Sequence, residues 1–376
     1  MRRLHSLLLI LLTVPFAVAA QNHPHQTENV FLIISDGLRW QEVFNGAEEL
    51  LLNKTNGGVK NVPVLQTNFW RTTPELRRAA LFPFFWGEIA RRGQLYGNQA
   101  KGSVASVMNT RKFSYPGYNE MLTGFADPKI DSNDKKPNPN VTVYEWLKKQ
   151  PDFRSRVVAF GTWDVFPYIF NQERSGIPVW PPWEMKFADT SVTASPALVS
   201  LMADTTPILD GVILDSFLFH TAVDHIQRKK PRLAFIGFGE TDEWAHAGRY
   251  DLYLESAHNV DRFVQRLWET VQGIPQYRGK TTFIVSADHG RGSGLSGWKD
   301  HGEKVQGAEG IWLAVIGPDT QPLGERSQTA PVTQSQIAAT IAALLGRDYQ
   351  SAFPRVGAPI ADLLAGGSTV AGRNSK

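Results

Sequence analysis

The sequence predicts an α/β protein: an open, mostly parallel sheet sandwiched between helices, with irregular insertions over the edge that carries the site. Three observations predict it. Short, near-continuous apolar and β-branched runs recur along the chain, as strands buried on both faces require. Stretches of helical character separate them, and such alternation builds parallel sheets through crossover connections. Three of the runs lead into a segment that carries a carboxylate close to the strand end, where open α/β sheets assemble their sites.

The strands are expected at Val30–Ser35, Arg156–Phe160, Leu233–Phe238, Thr281–Ala287 and Ile311–Ile316. Helices are expected at Pro74–Arg92, Val143–Lys149, Leu209–Arg228, Leu252–Val271 and Gln334–Leu345. Asp127–Asn140 is rich in Asp, Asn, Lys and Pro, and Asn171–Thr190 carries Pro178, Pro181 and Pro182 among Trp180 and Trp183. Both read as irregular insertions over the sheet. There is no internal repeat.

The first twenty residues have the layout of a secretory signal. Arg2 and Arg3 precede an apolar run from Leu7 to Phe16, and Ala17-Val18-Ala19-Ala20 offers a small-residue cleavage site before Gln21. The apolar run is too short to span a bilayer. Residues 1–20 are therefore expected to be a signal peptide and residues 21–376 one catalytic domain, exported to a periplasmic or extracellular space. No later segment is apolar for long enough to cross a membrane.

Composition narrows the chemistry. The 376 residues are 42% hydrophobic and 20% charged, ordinary for a globular protein. The chain has no cysteine, so disulfides, thiolate zinc sites and cysteine nucleophiles are all excluded. The formal charge of +3 falls to +1 once Arg2 and Arg3 are removed, and no long basic run is present. Nothing here calls for nucleic acid as a partner.

The strand ends carry the chemistry. Val30–Ser35 runs into Asp36-Gly37; Leu233–Phe238 is followed by Gly239 and then by Asp242 and His246; Thr281–Ala287 runs into Asp288-His289-Gly290. A lone Asp after a strand is usually a turn former or helix cap. Three, two of them with a histidine beside them or four residues on, are hard to explain that way. Asp242 and His246 would share one face of a helix. His301 follows in Asp300-His301-Gly302, in a loop that glycines let approach a metal. Nitrogen and oxygen donors of this kind suit zinc, and manganese or iron less exclusively, and six of them suit two ions. His220, His225 and His258 lie in helical stretches without matching carboxylates and are assigned to packing or surface.

The ordered set Asp36-Gly37, Ser114-Tyr115-Pro116-Gly117 continuing to Thr123-Gly124, Asp242-x-x-x-His246, Asp288-His289-Gly290 and His301 resembles the alkaline phosphatase superfamily. It is most similar to the type I phosphodiesterase and nucleotide pyrophosphatase branch and its secreted phosphatase relatives. Asp36-Gly37-Leu38-Arg39 also resembles the Asp-Gly-Phe-Arg opening of the diesterases. The resemblance implies that Asp242, His246 and His301 hold a first divalent ion. It implies that Asp36, Asp288 and His289 hold a second, with Ser114 completing that set. Zinc is the metal the resemblance favours, and Ser114 stands where the family places its nucleophile, at a helix start. The implied activity is hydrolysis of a small phosphate ester through a phosphoseryl intermediate, with monoester or diester preference open.

Two departures mark the substrate side. Diesterases of this branch place an Asn after the nucleophile helix to hold a phosphoryl oxygen; Asn133, Asn138 and Asn140 are available, and Asn133 is taken as the candidate. Some secreted phosphatases carry a Lys and an Arg after a strand; Phe160-Gly161-Thr162-Trp163-Asp164 has neither. Trp163 is the candidate to stack on an aromatic leaving group, with core packing as its plain alternative. Three rival readings each lack a feature they need. A sulfatase would need its Arg after the Ser-x-Pro frame, a cofactor-independent phosphoglycerate mutase would need an inserted domain, and a non-catalytic relative would have lost a ligand.

Overall fold

The structure, a computed structural model, describes residues 26–181 and 194–364. Its strands in chain order are β1 (Asn29–Ser35), β2 (Gln94–Tyr96), β3 (Ala105–Ser106), β4 (Val157–Gly161), β5 (Val179–Trp180), β6 (Leu233–Phe238), β7 (Thr281–Ser286), β8 (Gly310–Ile311), β9 (Leu313–Ile316), β10 (Gly324–Glu325) and β11 (Val332–Thr333). Eight of them form one sheet in the order β10-β2-β9-β7-β1-β6-β4-β5. β7, β1, β6, β4 and β5 run parallel, while β9 is antiparallel to both β7 and β2. Every residue of β1, β6 and β7 is buried, which is why these segments read as unbroken apolar runs rather than as alternations.

Register explains why distant residues meet. Ser35 pairs with Phe238 and Ile34 with Ser286. Continued past the strand ends, that register sets Asp36 level with Gly239 on one side and Asp288 on the other. Adjacent strands lie only about 4.8 Å apart. The ladder does continue: Asp36 N–H donates to Phe238 O at 2.9 Å.

The helix Tyr250–Gly273 shows how the sheet is covered. It buries Tyr253, Leu254, Ala257, Val260, Val264, Leu267 and Val271, a three-and-four spacing that makes one apolar face. Trp268 on that helix stands edge-on to Phe283 of β7, ring centroids 5.2 Å apart.

Four expectations are corrected. The strand Ile311–Ile316 is two strands, β8 and β9, in different sheets; between them the buried Trp312 donates its indole N–H to Leu38 O at 2.9 Å. The helix Pro74–Arg92 ends at Leu81 and resumes as a π-turn at Phe85–Ile89 running into Ala90–Arg92. Pro83 breaks it, lacking an N–H and clashing with the preceding turn, and Asp261 accepts the freed Phe84 and Phe85 N–H groups at 2.9 Å each. The helix Leu209–Arg228 begins only at Asp215, after Gly211 at φ +67° and a bridge between Val212 and Trp163. The stretch from Asn171 is not wholly irregular: it holds a helix at Gln172–Ser175 and β5, which forms one edge of the eight-stranded sheet. Its remainder, residues 182–190, and the leader at 1–20 lie outside the described residues. Among the described residues no helix is long and apolar enough to cross a membrane.

Candidate active site

Asp36, Asp288 and His289 meet at the C-terminal ends of β1 and β7. His289 Nε2 lies 3.3 Å from Asp36 Oδ1 and 3.6 Å from Asp288 Oδ2. The His289 Nδ1 atom is 2.9 Å from Gly290 O; donation to that carbonyl leaves Nε2 as the lone-pair atom facing the carboxylates. Tyr118 donates to Asp36 Oδ2 at 2.9 Å, and the Gly37 N–H to Asp288 Oδ1 at 3.1 Å. The other oxygens, Asp36 Oδ1 and Asp288 Oδ2, are buried without any hydrogen bond. Two orphaned carboxylate oxygens beside an imidazole lone pair are costly unless a cation joins them. The residues fit a divalent metal. Burial, reinforced by the neighbouring charge of Asp242, pushes the Asp36 carboxyl well up; burial and the charge of Asp36 do the same to Asp288.

A second cluster stands beside the first. The helix Glu240–His246 follows β6, and its four-residue spacing puts His246 Nε2 3.3 Å from Asp242 Oδ2. His301 brings Nε2 to 2.9 Å from His246 Nε2 and 3.6 Å from Asp242 Oδ1. Its Nδ1 lies 3.2 Å from Lys112 O, which again leaves Nε2 to face the cluster. Lys112 holds a left-handed φ of 52° that turns this carbonyl, two residues before Ser114. Burial, then the neighbouring His289, pushes His301 down to about 2. The clusters touch: the His289 and His301 rings stack with centroids 3.9 Å apart.

Ser114 opens the helix Ser114–Thr123 and sets its Oγ 3.4 Å from His289 Nε2. Helix starts carry unpaired N–H groups and positive potential. Here Pro116 has no N–H, and the Tyr115 N–H is taken by Asn133 Oδ1 at 3.0 Å. That bond holds Asn133 next to the nucleophile position. Asn138 and Asn140 instead donate to Asn119 Oδ1 at 3.2 and 3.1 Å, in a buried network away from the serine. Thr110, the nearest competing hydroxyl upstream, is exposed. Trp163 is half-buried and edge-on to Phe166, beside a cavity of about 310 Å³ lined by Met202, Ile208, Val212, Ile213 and Phe217.

Several positioning groups were not foreseen. Asp215 accepts from the N–H groups of Gly239 and Glu240 at 2.8 and 3.3 Å, anchoring the helix that carries Asp242 and His246. Gln334 donates to the carbonyls of Ala287 and Asp288 at 3.2 and 2.7 Å. Arg291 binds Asp242 Oδ1 directly. Burial pushes the Asp242 carboxyl up, but Arg291, His246 and His301 together outweigh it and hold the group well below the usual range. Proximity to Asp288-His289 was the one available signal for Arg291. Arg39 sits beneath the site: buried, it pairs with Glu42 and donates to Gly292 O at 3.2 Å.

A family model described as the metalloenzyme superfamily matches residues 215–349, the segment that carries Asp242, His246, Asp288, His289 and His301. Comparison with curated proteins finds no match. Among solved structures, the alkaline phosphatase PafA is similar over 90% of this chain and 99% of its own, at 11% identity and a TM-score of 0.57. A phosphonate monoester hydrolase from Silicibacter pomeroyi is similar over 90% of this chain and 77% of its own, at 14% identity and TM-score 0.54. The lipoteichoic acid synthase LtaP from Listeria monocytogenes is similar over 88% and 76%, at 11% identity and TM-score 0.55.

Proposed function

From a chain with the alkaline phosphatase-like fold and a metalloenzyme-superfamily match over residues 215–349, we propose an exported, two-metal phosphoric-ester hydrolase with Ser114 as nucleophile. One observation carries the proposal: Ser114 Oγ, at the start of a ten-residue helix, lies 3.4 Å from a histidine flanked by two carboxylate oxygens that have no hydrogen bond. The leader at residues 1–20 directs export, and residues 21–376 act as one catalytic domain.

Asp242, His246 and His301 would hold one ion and Asp36, Asp288, His289 and Ser114 the other, with zinc the best match to these donors. Two such cations, when bound, acidify a coordinated hydroxyl and offset charge on the phosphoryl and departing oxygens. Ser114 Oγ attacks phosphorus in line, forming the P–O bond as the bond to the leaving group breaks. Water then cleaves the phosphoseryl ester and returns the hydroxyl. The helix start favours the phosphoryl charge. Asn133, its Oδ1 already fixed by the Tyr115 N–H, is left with its amide N–H groups to donate to a phosphoryl oxygen. Trp163 and the cavity beside it accept an apolar leaving group.

Metal analysis of the purified protein, together with rates on aryl phosphate monoesters, diesters and sulfates, tests this reading. Two ions per chain and phosphate-ester turnover well above sulfate turnover are expected. Faster sulfate turnover would reassign the chain to the sulfuric esters.

A further inference from the structure

The two clusters differ in what already neutralises them. Asp36 and Asp288 bring two carboxylates, and their hydrogen-bond donors are a phenol and a backbone N–H. Asp242 brings one carboxylate, and Arg291 already occupies its Oδ1. That guanidinium is fully buried and tethered elsewhere: Nε donates to Trp298 O at 3.0 Å and Nη2 to Lys299 O at 2.6 Å. It cannot swing aside when a cation arrives.

Gly37 shows that the backbone makes room for this pair. A Cβ there would stand 2.6 Å from Arg291 Nη1 and 2.8 Å from Asp242 Oδ1, and the residue's φ of +58° is itself one that glycine adopts without strain. Asp242 therefore has one oxygen, Oδ2, to offer beside the His246 and His301 nitrogens. Counting Arg291, that ligand set has no net charge, against two negative charges in the other.

We propose that Arg291 makes the two metal positions unequal: the Asp36–Asp288–His289 position fills first and tightly, the Asp242–His246–His301 position second and weakly. Arg291 is thus a positioning residue, holding Asp242 to single-oxygen ligation and lowering the attraction of that position for a dication. The inference rests on the two-metal reading above and concerns only the order and strength of loading.

Calorimetric titration of chelator-stripped protein with Zn2+ alone tests it. Two steps of one ion each are expected, the second weaker by about tenfold or more, the order of effect of one nearby charge. Asp288→Asn should remove the tight step and Asp242→Asn the weak one. Arg291→Met should tighten the weak step about tenfold while leaving the tight step unchanged, and Arg291→Lys, which keeps the charge, should leave the steps unequal. Two equal steps, a tight step lost in Asp242→Asn, or folded Arg291→Met with wild-type steps would overturn the inference and leave the two-metal reading standing. If Arg291→Met does not fold, the two aspartate variants decide the order alone. Absence of any zinc binding would overturn both readings.

Discussion

Gly117, on the first turn of the serine helix, lies against the backbone of Asp288: a Cβ built at Gly117 would stand 2.3 Å from the Asp288 carbonyl oxygen. The helix that carries the nucleophile candidate therefore rests directly on the strand end that carries two metal-ligand candidates. Their separation is set by the absence of a side chain.

Gly117→Ala tests that spacing. Helix propensity alone would favour alanine by up to ~1 kcal/mol. The clash is with backbone, which cannot turn aside, so overpacking should win and destabilise by ~1–3 kcal/mol. Displacing Ser114 by even an ångström should lower turnover by about 10²-fold. Thermal unfolding and kcat on an aryl phosphate check both, and unchanged turnover would break the link between this contact and catalysis.

Ser114→Ala should leave the fold and most metal binding intact while turnover falls by several orders of magnitude. The hydroxyl is not a cap, since the helix has none from its N-cap Phe113, so the stability change should be under ~1 kcal/mol. A phosphoryl adduct trapped on Thr110 would place the nucleophile there instead.

Chelation should abolish hydrolysis, and zinc should restore it. Stripping should also lower thermal stability, because the buried Asp36 and Asp288 oxygens are then left without a partner. A melting curve that EDTA does not move would argue that the carboxylates need no cation.

Asp215→Ala should strand the Gly239 and Glu240 N–H groups and cost ~1–3 kcal/mol. It should also weaken zinc binding by the helix that carries Asp242 and His246. Asp215→Asn keeps an acceptor oxygen and should recover most of both losses. Equal losses in the two variants would mean that the charge, not the hydrogen bonds, matters.

Asp261, bonded to the Phe84 and Phe85 N–H groups, gives a pH test outside the candidate site. Burial pushes its carboxyl from 3.8 to about 7. A group raised in the folded state contributes stability that is complete below its unfolded value and is lost as pH rises through its folded value. Its contribution should therefore decline from about pH 4 to 7 and be gone above. The difference in melting temperature between wild type and Asp261→Asn, measured across that window, should shrink as pH rises. A constant difference would refute the assignment.

Much of the site was legible because its residues sit where periodicity points. β1, β6 and β7 are buried on both faces, so their sequences are unbroken apolar runs that end where the polar chemistry starts. Asp36, Asp288 and His289 could be placed from that boundary alone, and Asp242 with His246 from one turn of helix. The interrupted elements were not legible. An apolar run does not state its direction, so the antiparallel β9 looked like its parallel neighbours. Pro83 was visible, but the Asp261 side chain that accepts the freed N–H groups lies 176 residues from Phe85.

The sequence by itself determined which candidate ligands stand at the strand ends and on the turn of helix that follows, since strand ends and helical spacing are local properties of the chain. Only the tertiary structure decided how those side chains are charged against one another. Arg291 on Asp242, Tyr118 on Asp36 and Asn133 on the Tyr115 N–H come from the order in which strands pack and loops fold over them. Pairing across the sheet edge depends on distance in space, and no local pattern of residues encodes it.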